Sequence, residues 1–461
     1  MNAPTLVLGL GRFGGGAAAV RFLRHRGTSV RVADRSQGPD LDHSRAALAG
    51  LDGIDWQLGR EDAGLLDGIA RVVVNPAVPD DHPLLQAARA RGLECTQEVN
   101  LFLEEYPGRV VAVTGTNGKS TTSTLVHAAL QRAGFEALLG GNIGHSLLDD
   151  EARWTADQVA VLEISSFQLE RIDVQRHRVT GAVCTRVERD HLDRHRTLAA
   201  YHAAKARLPA VATTFFVHGA ADAVAAGFAT PAPRRVTFAP EPPQPGSMGI
   251  SAGWLCARLD AAPPKPLVHQ DAMRLLGDFQ RENALAAGAA ALLLGAAPDA
   301  VGYALACAAP LPFRLQLVTV LDGVRVYDNG VSTEVESTRS ALRNVQGPIR
   351  WVAGGKSKDG DYAGVAAAAQ PFVASAHLFG SAAQPLAANM PHAAVTVHDR
   401  LAQALDAAVA AAKPGDALLF SPAFASFDQY PNFRARALEF HQWLAARRAG
   451  PRTASDRASA P

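Results

Sequence analysis

Cysteine is scarce in this chain: Cys95, Cys184, Cys256 and Cys307 are the only four in 461 residues, far apart and in no CxxC or zinc-like spacing. A secreted disulfide scaffold is thereby excluded, and the four read as small buried residues in a reducing compartment. An excess of one charge is also missing, since Lys plus Arg is 45 and Asp plus Glu is 44, a formal net charge of +1. That balance offers no bulk attraction to nucleic acid or an anionic membrane surface, so neither is an expected partner. The longest uncharged apolar stretch, Ala284 to Ala297, has 14 residues, short of the roughly 20 that a membrane span needs. It reads as a core helix. The opening Met1-Asn2-Ala3-Pro4 runs into Leu6-Val7-Leu8 without a basic start, a full apolar region or a small-residue cleavage site. No export signal is read there, and a cytoplasmic monomer is expected. No repeat at solenoid spacing occurs.

What is present is ample apolar material, 48% hydrophobic against 19% charged residues, which excludes a wholly disordered chain. At roughly 100–200 residues per domain the length suggests about three domains. Short β-branched runs alternate with alanine-rich helical stretches in three segments, the signature of parallel sheets covered by helices, so the fold class is α/β throughout. The first segment, 1–104, opens with the strand Thr5 to Leu8, a glycine turn, a helix, and a second strand from Ser29 closing on Asp34. Tyr106-Pro107-Gly108 marks its end. The second, 105–309, starts with the strand Arg109 to Val113 and carries a proline-rich, β-rich part between His218 and Pro266. The third, 310–446, follows Pro310-Leu311-Pro312, and 447–461 reads as a disordered tail.

The strongest motif is Thr114-Gly115-Thr116-Asn117-Gly118-Lys119-Ser120-Thr121-Thr122, after a strand and opening into a helix from Ser123 to Arg132. Glycines let backbone N–H groups approach a polyphosphate, Lys119 neutralises its oxygens and the Ser120 hydroxyl suits Mg²⁺. Val113 stands where the regular pattern has its first glycine. Glu163 ends the apolar strand Val159 to Leu162, where a carboxylate can hold a hard cation, although an ordinary strand-end acid looks the same. Glu188-Arg189-Asp190-His191-Leu192-Asp193-Arg194-His195 is dense in metal-capable side chains, as a solvated charge run also is. Lys205 alone is indistinguishable from a helix-surface lysine. Gly9-x-Gly11-x-x-Gly14, with Asp34 twenty residues on, fits a nucleotide-binding turn; by itself it also admits a nicotinamide-dependent oxidoreductase, a non-catalytic nucleotide binder or a turn serving packing alone.

Taken in order, TGTNGKSTT, Gly141-Asn142-Ile143-Gly144, LEISSFQLE, ERDHLDRH and AAKARL resemble the Mur ligase family of ATP-dependent amino-acid ligases. The C-terminal stretch Ser421 to Phe433, with Arg436 and Phe440, is similar to the branch that adds D-glutamate, and the resemblance spans residues 5 to 445. It implies three domains: Rossmann-like, central phosphate-loop ATPase, and C-terminal Rossmann-like. It implies peptidoglycan synthesis in which the carboxylate of UDP-N-acetylmuramoyl-L-alanine takes the γ-phosphoryl group of ATP and the amine of glutamate displaces phosphate from the acyl phosphate. By the same resemblance, ATP contacts fall on Gly115, Thr116, Asn117, Gly118, Lys119, Ser120, Thr121, Asn283, Arg314, Asp328 and Asn329. Ser120 and Glu163 hold one Mg²⁺; His191 and Lys205, carbamylated so that a lysine offers oxygens, hold a second. Arg12, Phe13, Asp34 and Arg35 surround the uridine diphosphate, and Asn142, Ser165 and Gln168 contact the muramoyl-alanine arm. Thr333, Lys358, Ser426, Phe427 and Phe433 form the acceptor pocket. Two departures stand out. Val331 occupies the place of a family lysine near the incoming glutamate, with Lys356 and Arg436 the nearby cations that could compensate, so L-glutamate or another acceptor remains open. Phe279-Gln280 replaces a common His-Asn ahead of Asn283.

Overall fold

The computed structural model describes residues 3–11, 14–333, 335–358, 360–391 and 393–448. They form three sheets, distributed over two compact units. One unit takes in the chain up to Arg274 together with Gln280–Ala308; the other takes in Leu275–Phe279 and the chain from Ala309.

The first sheet contains β1 (Thr5–Leu8), β2 (Val30–Asp34), β3 (Ile54–Leu58), β4 (Arg71–Val74) and β5 (Glu94–Thr96) in the order β3-β2-β1-β4-β5, all parallel. Strand order reverses about β1, so its C-terminal end is a switch point where a crevice opens. The glycine turn lies there: Gly9, Gly11 and Gly14 all have positive φ, and Gly14 caps the helix Gly15–His25.

The second sheet holds β6 (Arg109–Thr114), β7 (Ala137–Gly141), β8 (Val159–Glu163), β9 (Val179–Cys184), β10 (Ala212–Gly219), β11 (Arg234–Phe238), β12 (Ser247–Ser251), β13 (Trp254–Arg258) and β14 (Lys265–His269). Its order is β14-β13-β12-β11-β10-β9-β6-β8-β7, parallel from β7 to β12 and antiparallel beyond. Here β6 is the switch strand, flanked by β8 and β9. β8 is buried along its whole length and β6 at every residue after Arg109, which is why they read as continuous apolar runs rather than alternating ones. The proline-rich part is the β11–β14 region. The apolar run expected as a core helix lies largely in the helix Asp278–Leu293, buried from Asn283 to Ala291.

In the other unit, β15 (Gln316–Leu321) and β16 (Val324–Asp328) form an antiparallel hairpin, joined to β17 (Ile349–Gly354), β18 (Val373–Phe379), β19 (Ala394–His398) and β20 (Ala417–Ala423) in the order β15-β16-β20-β17-β18-β19. Leu276 and Phe279, counted with the central segment by sequence, pack against this sheet's core.

Three expectations need correction. The phosphate-loop helix begins at Lys119, four residues earlier than read, because Gly118 takes a left-handed conformation and starts it. The tail does not begin at 447: Arg447 and Arg448 complete the helix Phe433–Arg448, with Arg447 paired to Asp406 at 2.9 Å. The rest of that tail lies outside the described residues. Among the cysteines, Cys307 is exposed rather than buried. No helix among the described residues is long and apolar enough to cross a membrane.

Candidate active site

The loop between β6 and the helix Lys119–Arg132 needs two glycines for physical reasons. Gly115 has φ 148° and Gly118 φ 84°, and a Cβ on Gly118 would stand 2.2 Å from Asn283 Oδ1. Both positions are closed to other residues by conformation and by space. The same contact places Asn283, the expected adenine residue, directly against the loop, where its amide also donates to Gln280 at 3.1 Å. Thr116 is pinned from the far side: its N–H donates to the Arg186 carbonyl at 2.6 Å and its hydroxyl shares a proton with the buried Tyr201 hydroxyl at 2.7 Å. Tyr201 was missed by sequence reasoning. Its signal was the spacing, four residues before Lys205 on one helix face.

Two lysines meet on one carbonyl. The Gly115 oxygen accepts from Lys119 Nζ at 3.1 Å and from Lys205 Nζ at 2.7 Å, and Lys119 also donates to the Thr116 carbonyl at 2.8 Å. Lys205, in the helix Leu198–Ala210, is buried and lies over the Tyr201 ring at 4.8 Å. Burial, with the Lys119 charge beside it, brings its ammonium down to about 7. A buried lysine poised to lose its proton is the opposite of the helix-surface residue that the sequence alone could not exclude.

Glu163 sits at the end of β8, in register with Val113 of β6 and therefore beside the root of the loop. It is almost fully buried. One carboxylate oxygen accepts from Asn142 Nδ2 at 2.7 Å, and the other has no hydrogen-bond partner among the described residues. A desolvated carboxylate oxygen with nothing to satisfy it fits a hard cation, as does the Ser120 hydroxyl in the first helical turn. Among the described residues no three His, Cys, Asp or Glu side chains gather around a common point.

His191 has a left-handed backbone, φ 51°, and its ring lies against Phe167 at 5.0 Å and 6.4 Å from Tyr201, so His191 and Lys205 flank the same tyrosine. Its neighbour His195 is buried between Ser166 Oγ at 2.9 Å and Glu170 at 3.0 Å. The dense charged run is thus neither all solvated nor all ligand. Ser165 and Gln168 form a reciprocal cap on the short helix Ser166–Leu169, with the Gln168 side-chain oxygen accepting from both the N–H and the hydroxyl of Ser165 at 2.9 Å.

Around the first glycine turn, Asp34 is buried and devoted to backbone: its carboxylate accepts from Leu10 N–H at 2.9 Å, Gly11 N–H at 3.4 Å and Ser36 N–H at 2.9 Å. It shapes the turn, whereas Arg35 is exposed. Arg12 and Phe13 lie outside the described residues.

In the second unit a buried cation ties together loops that carry three of the expected residues. Arg436 is fully buried and donates to the carbonyls of Gly354 at 3.2 Å, Phe424 at 2.9 Å and Ser332 at 3.3 Å, drawing together the loops that carry Thr333, Lys358 and Ser426. Burial lowers its guanidinium to about 10. Phe427 is exposed and Phe433 half-buried at the start of the last helix. Asp328 is completely buried, accepting from Gly330 N–H at 2.7 Å and bonded to His441 at 2.7 Å, and Asn329 accepts from Leu315 N–H at 3.2 Å. Asn329 thereby fixes the backbone next to Arg314. His441, on the distant last helix, gave no sequence signal.

Residues 3–97 match the MurD-like N-terminal domain of Mur ligases, 113–291 the Mur ligase middle domain, and 313–424 the Mur ligase glutamate ligase domain. A UDP-N-acetylmuramoylalanine–D-glutamate ligase of Geobacter metallireducens is 35% identical, over 97% of this chain and 98% of its own. The chain belongs to the Mur ligase family. Another ligase of that same name, from Acidobacterium capsulatum, is 34% identical over 96% of each chain. Among solved structures, a UDP-N-acetylmuramate–alanine ligase from Thermotoga maritima superposes with a TM-score of 0.62 at 17% identity, over 96% of this chain and 100% of that one. A pseudomurein peptide ligase from Methanothermus fervidus gives 0.60 at 18% identity, with the same coverage. The Mur ligase fold follows from these, and the match over 3–97 removes the nicotinamide alternative for the first glycine turn.

Proposed function

We propose that this Mur ligase joins D-glutamate to UDP-N-acetylmuramoyl-L-alanine in peptidoglycan synthesis, consuming ATP with Mg²⁺. The observation that carries the chemistry is the meeting of Lys119 and Lys205 on the Gly115 carbonyl beside the half-satisfied carboxylate of Glu163. Lys119 neutralises the phosphoryl group as it passes to the substrate carboxylate, and the loop amides fix the nucleotide. Ser120 and Glu163 hold one Mg²⁺. Bound there, Mg²⁺ supplies Lewis-acid neutralisation of phosphate oxygens.

With its ammonium at about 7, Lys205 carries an appreciable free amine at neutral pH. That amine attacks CO₂, forming an N–C bond and releasing one proton, and the resulting carbamate anion turns a repulsion with Lys119 into an attraction. The carbamate and His191 form the second Mg²⁺ site. Asn142, Ser165 and Gln168 line the muramoyl-alanine arm, and Asn283 meets adenine. Asp34 sets the glycine turn that, with Arg12, Phe13 and Arg35, receives the uridine diphosphate. Thr333, Lys358, Ser426, Phe427 and Phe433 take the acceptor amino acid, and Arg314 with Asp328 and Asn329 serves the nucleotide from the second unit.

A second reading keeps this chemistry and takes L-glutamate or another acidic amino acid as acceptor. Val331 motivates it, since it stands where the family has a lysine near the incoming glutamate, with Lys356 and Arg436 the nearby cations. The test is ATP-dependent phosphate release with UDP-N-acetylmuramoyl-L-alanine and each enantiomer in turn, with the product identified by mass. Release with D-glutamate and a product heavier by one glutamyl residue supports the first reading. Release with L-glutamate alone supports the second, and none with either rejects both.

A further inference from the structure

The walls of the proposed arm site are gripped from outside by one helical turn that carries none of the expected site residues. The helix Glu98–Glu105 closes the first sheet's segment; Gln97, which caps it, and Asn100 in its first turn are polar yet buried, and Glu98 is half-buried. Gln97 Nε2 donates to the Gln168 carbonyl at 2.6 Å and to Asn100 Oδ1 at 3.0 Å. Asn100 Nδ2 donates to the Arg171 carbonyl at 2.8 Å. The Gln168 carbonyl lies at the C-terminal end of the helix Ser166–Leu169, where it also accepts from Arg171 N–H at 3.2 Å, and the Arg171 carbonyl lies two residues beyond that helix. On the other wall, Ser146 Oγ donates to Glu98 Oε1. Ser146 directly follows the tight turn closed by Gly141 N–H to the His145 carbonyl at 2.7 Å, the turn that presents Asn142 to Glu163.

The gripping helix is itself immobilised. Phe102, Tyr106 and Trp154 pack with ring centroids 4.8 to 5.6 Å apart, and Glu104 bonds Arg71 at 2.9 Å and His177 at 3.3 Å. Apolar contacts would supply adhesion more cheaply than buried amides, whose unmet groups cost stability, as Gln97 Oε1 does in having no hydrogen-bond partner among the described residues. What directional bonds add is orientation.

We propose that Gln97, Glu98 and Asn100 are positioning residues that set the separation and orientation of the two walls, Asn142 on one side and Ser165 with Gln168 on the other, for the muramoyl-alanine arm. The inference rests on the functional reading above. Burial raises the Glu98 carboxyl to about 7, so a neutral acceptor in its place is tolerated.

The test is calorimetric titration of the full chain with three ligands: UDP-N-acetylmuramoyl-L-alanine, UDP alone and ADP alone. Asn100→Asp keeps the shape and turns a donor into an acceptor facing a carbonyl; Glu98→Leu removes the acceptor for Ser146, and Glu98→Gln retains it. Asn100→Asp and Glu98→Leu are expected to weaken the complete substrate about tenfold or more while UDP and ADP stay within about twofold, with Glu98→Gln close to the parent. Equal losses on all three ligands would show a merely structural role and overturn the proposal, as would unchanged binding of the complete substrate by both variants. If the parent protein itself fails to bind UDP-N-acetylmuramoyl-L-alanine while binding UDP, the functional reading fails instead.

Discussion

Lysine 205 shows how a residue without any local signature becomes chemically distinct. Its neighbours in sequence are alanines, yet the fold buries it, aims it at a carbonyl already occupied by Lys119, and so lowers its proton affinity. The sign follows directly. A base whose folded-state value lies below its unfolded value of 10.5 burdens the folded state fully below about 7, and the burden is relieved as pH rises from there. Activity that depends on the free amine for carbamylation should therefore fall as pH drops through about 7, and added bicarbonate should partly oppose the fall; a profile flat to pH 5.5 would count against the carbamate. Lys205→Ala should lose most turnover and regain part of it with a small carboxylic acid occupying the carbamate's place. Lys119→Ala should lower kcat by about a hundredfold or more, since it removes a preorganised charge from the transferring phosphoryl group; near-normal turnover would give the loop another job.

Among the elements, the phosphate loop has the least latitude. Gly118→Ala would force a left-handed alanine, at about 1–2 kcal/mol, and push its Cβ into Asn283, 2.2 Å away. Because the clash displaces the residue assigned to adenine, the variant should lose thermal stabilisation by ADP beyond its loss of stability without ligand. An unchanged ADP-induced shift in Tm would separate Asn283 from nucleotide binding. The strap around His191 is constrained in a similar way: His191 and Arg196, both with positive φ, bracket one turn of helix whose His195 is held by Ser166 and Glu170. Backbone held in such conformations persists only when its surroundings fix it, and this strap passes a candidate metal ligand.

On the scale of the larger unit, a partly buried ionic cluster ties the first sheet to the second. Burial alone would raise the Glu104 carboxyl, but hydrogen bonds from His177 and Arg71 and the charges of Arg71 and Arg176 outweigh it and hold the group at about 2. A carboxyl depressed from 4.5 contributes stability that is full above its unfolded value and is lost as pH falls from there through about 2. Glu104→Gln should therefore lower the urea midpoint at pH 7 clearly more than at pH 3. Equal losses at both pH values would show that the cluster does not act through charge.

The sequence alone determined the α/β class, the glycine turns at the ends of β1 and β6, and the ordered motifs that mark a Mur ligase. All of these are local: a strand's apolar run, a turn that only glycine can make, and a lysine and hydroxyl at fixed offsets from it. Only the tertiary structure decided what depends on distant segments meeting. It set Lys205 against Lys119, gave Asp34 to the backbone, buried Asp328 under His441, and placed Arg436 at the centre of three loops. The physical reason is that burial and proton affinity belong to a residue's neighbours in space. Gln97 and Asn100, polar residues of ordinary appearance in the sequence, became a candidate clamp only once the fold had buried them against the carbonyls of another domain.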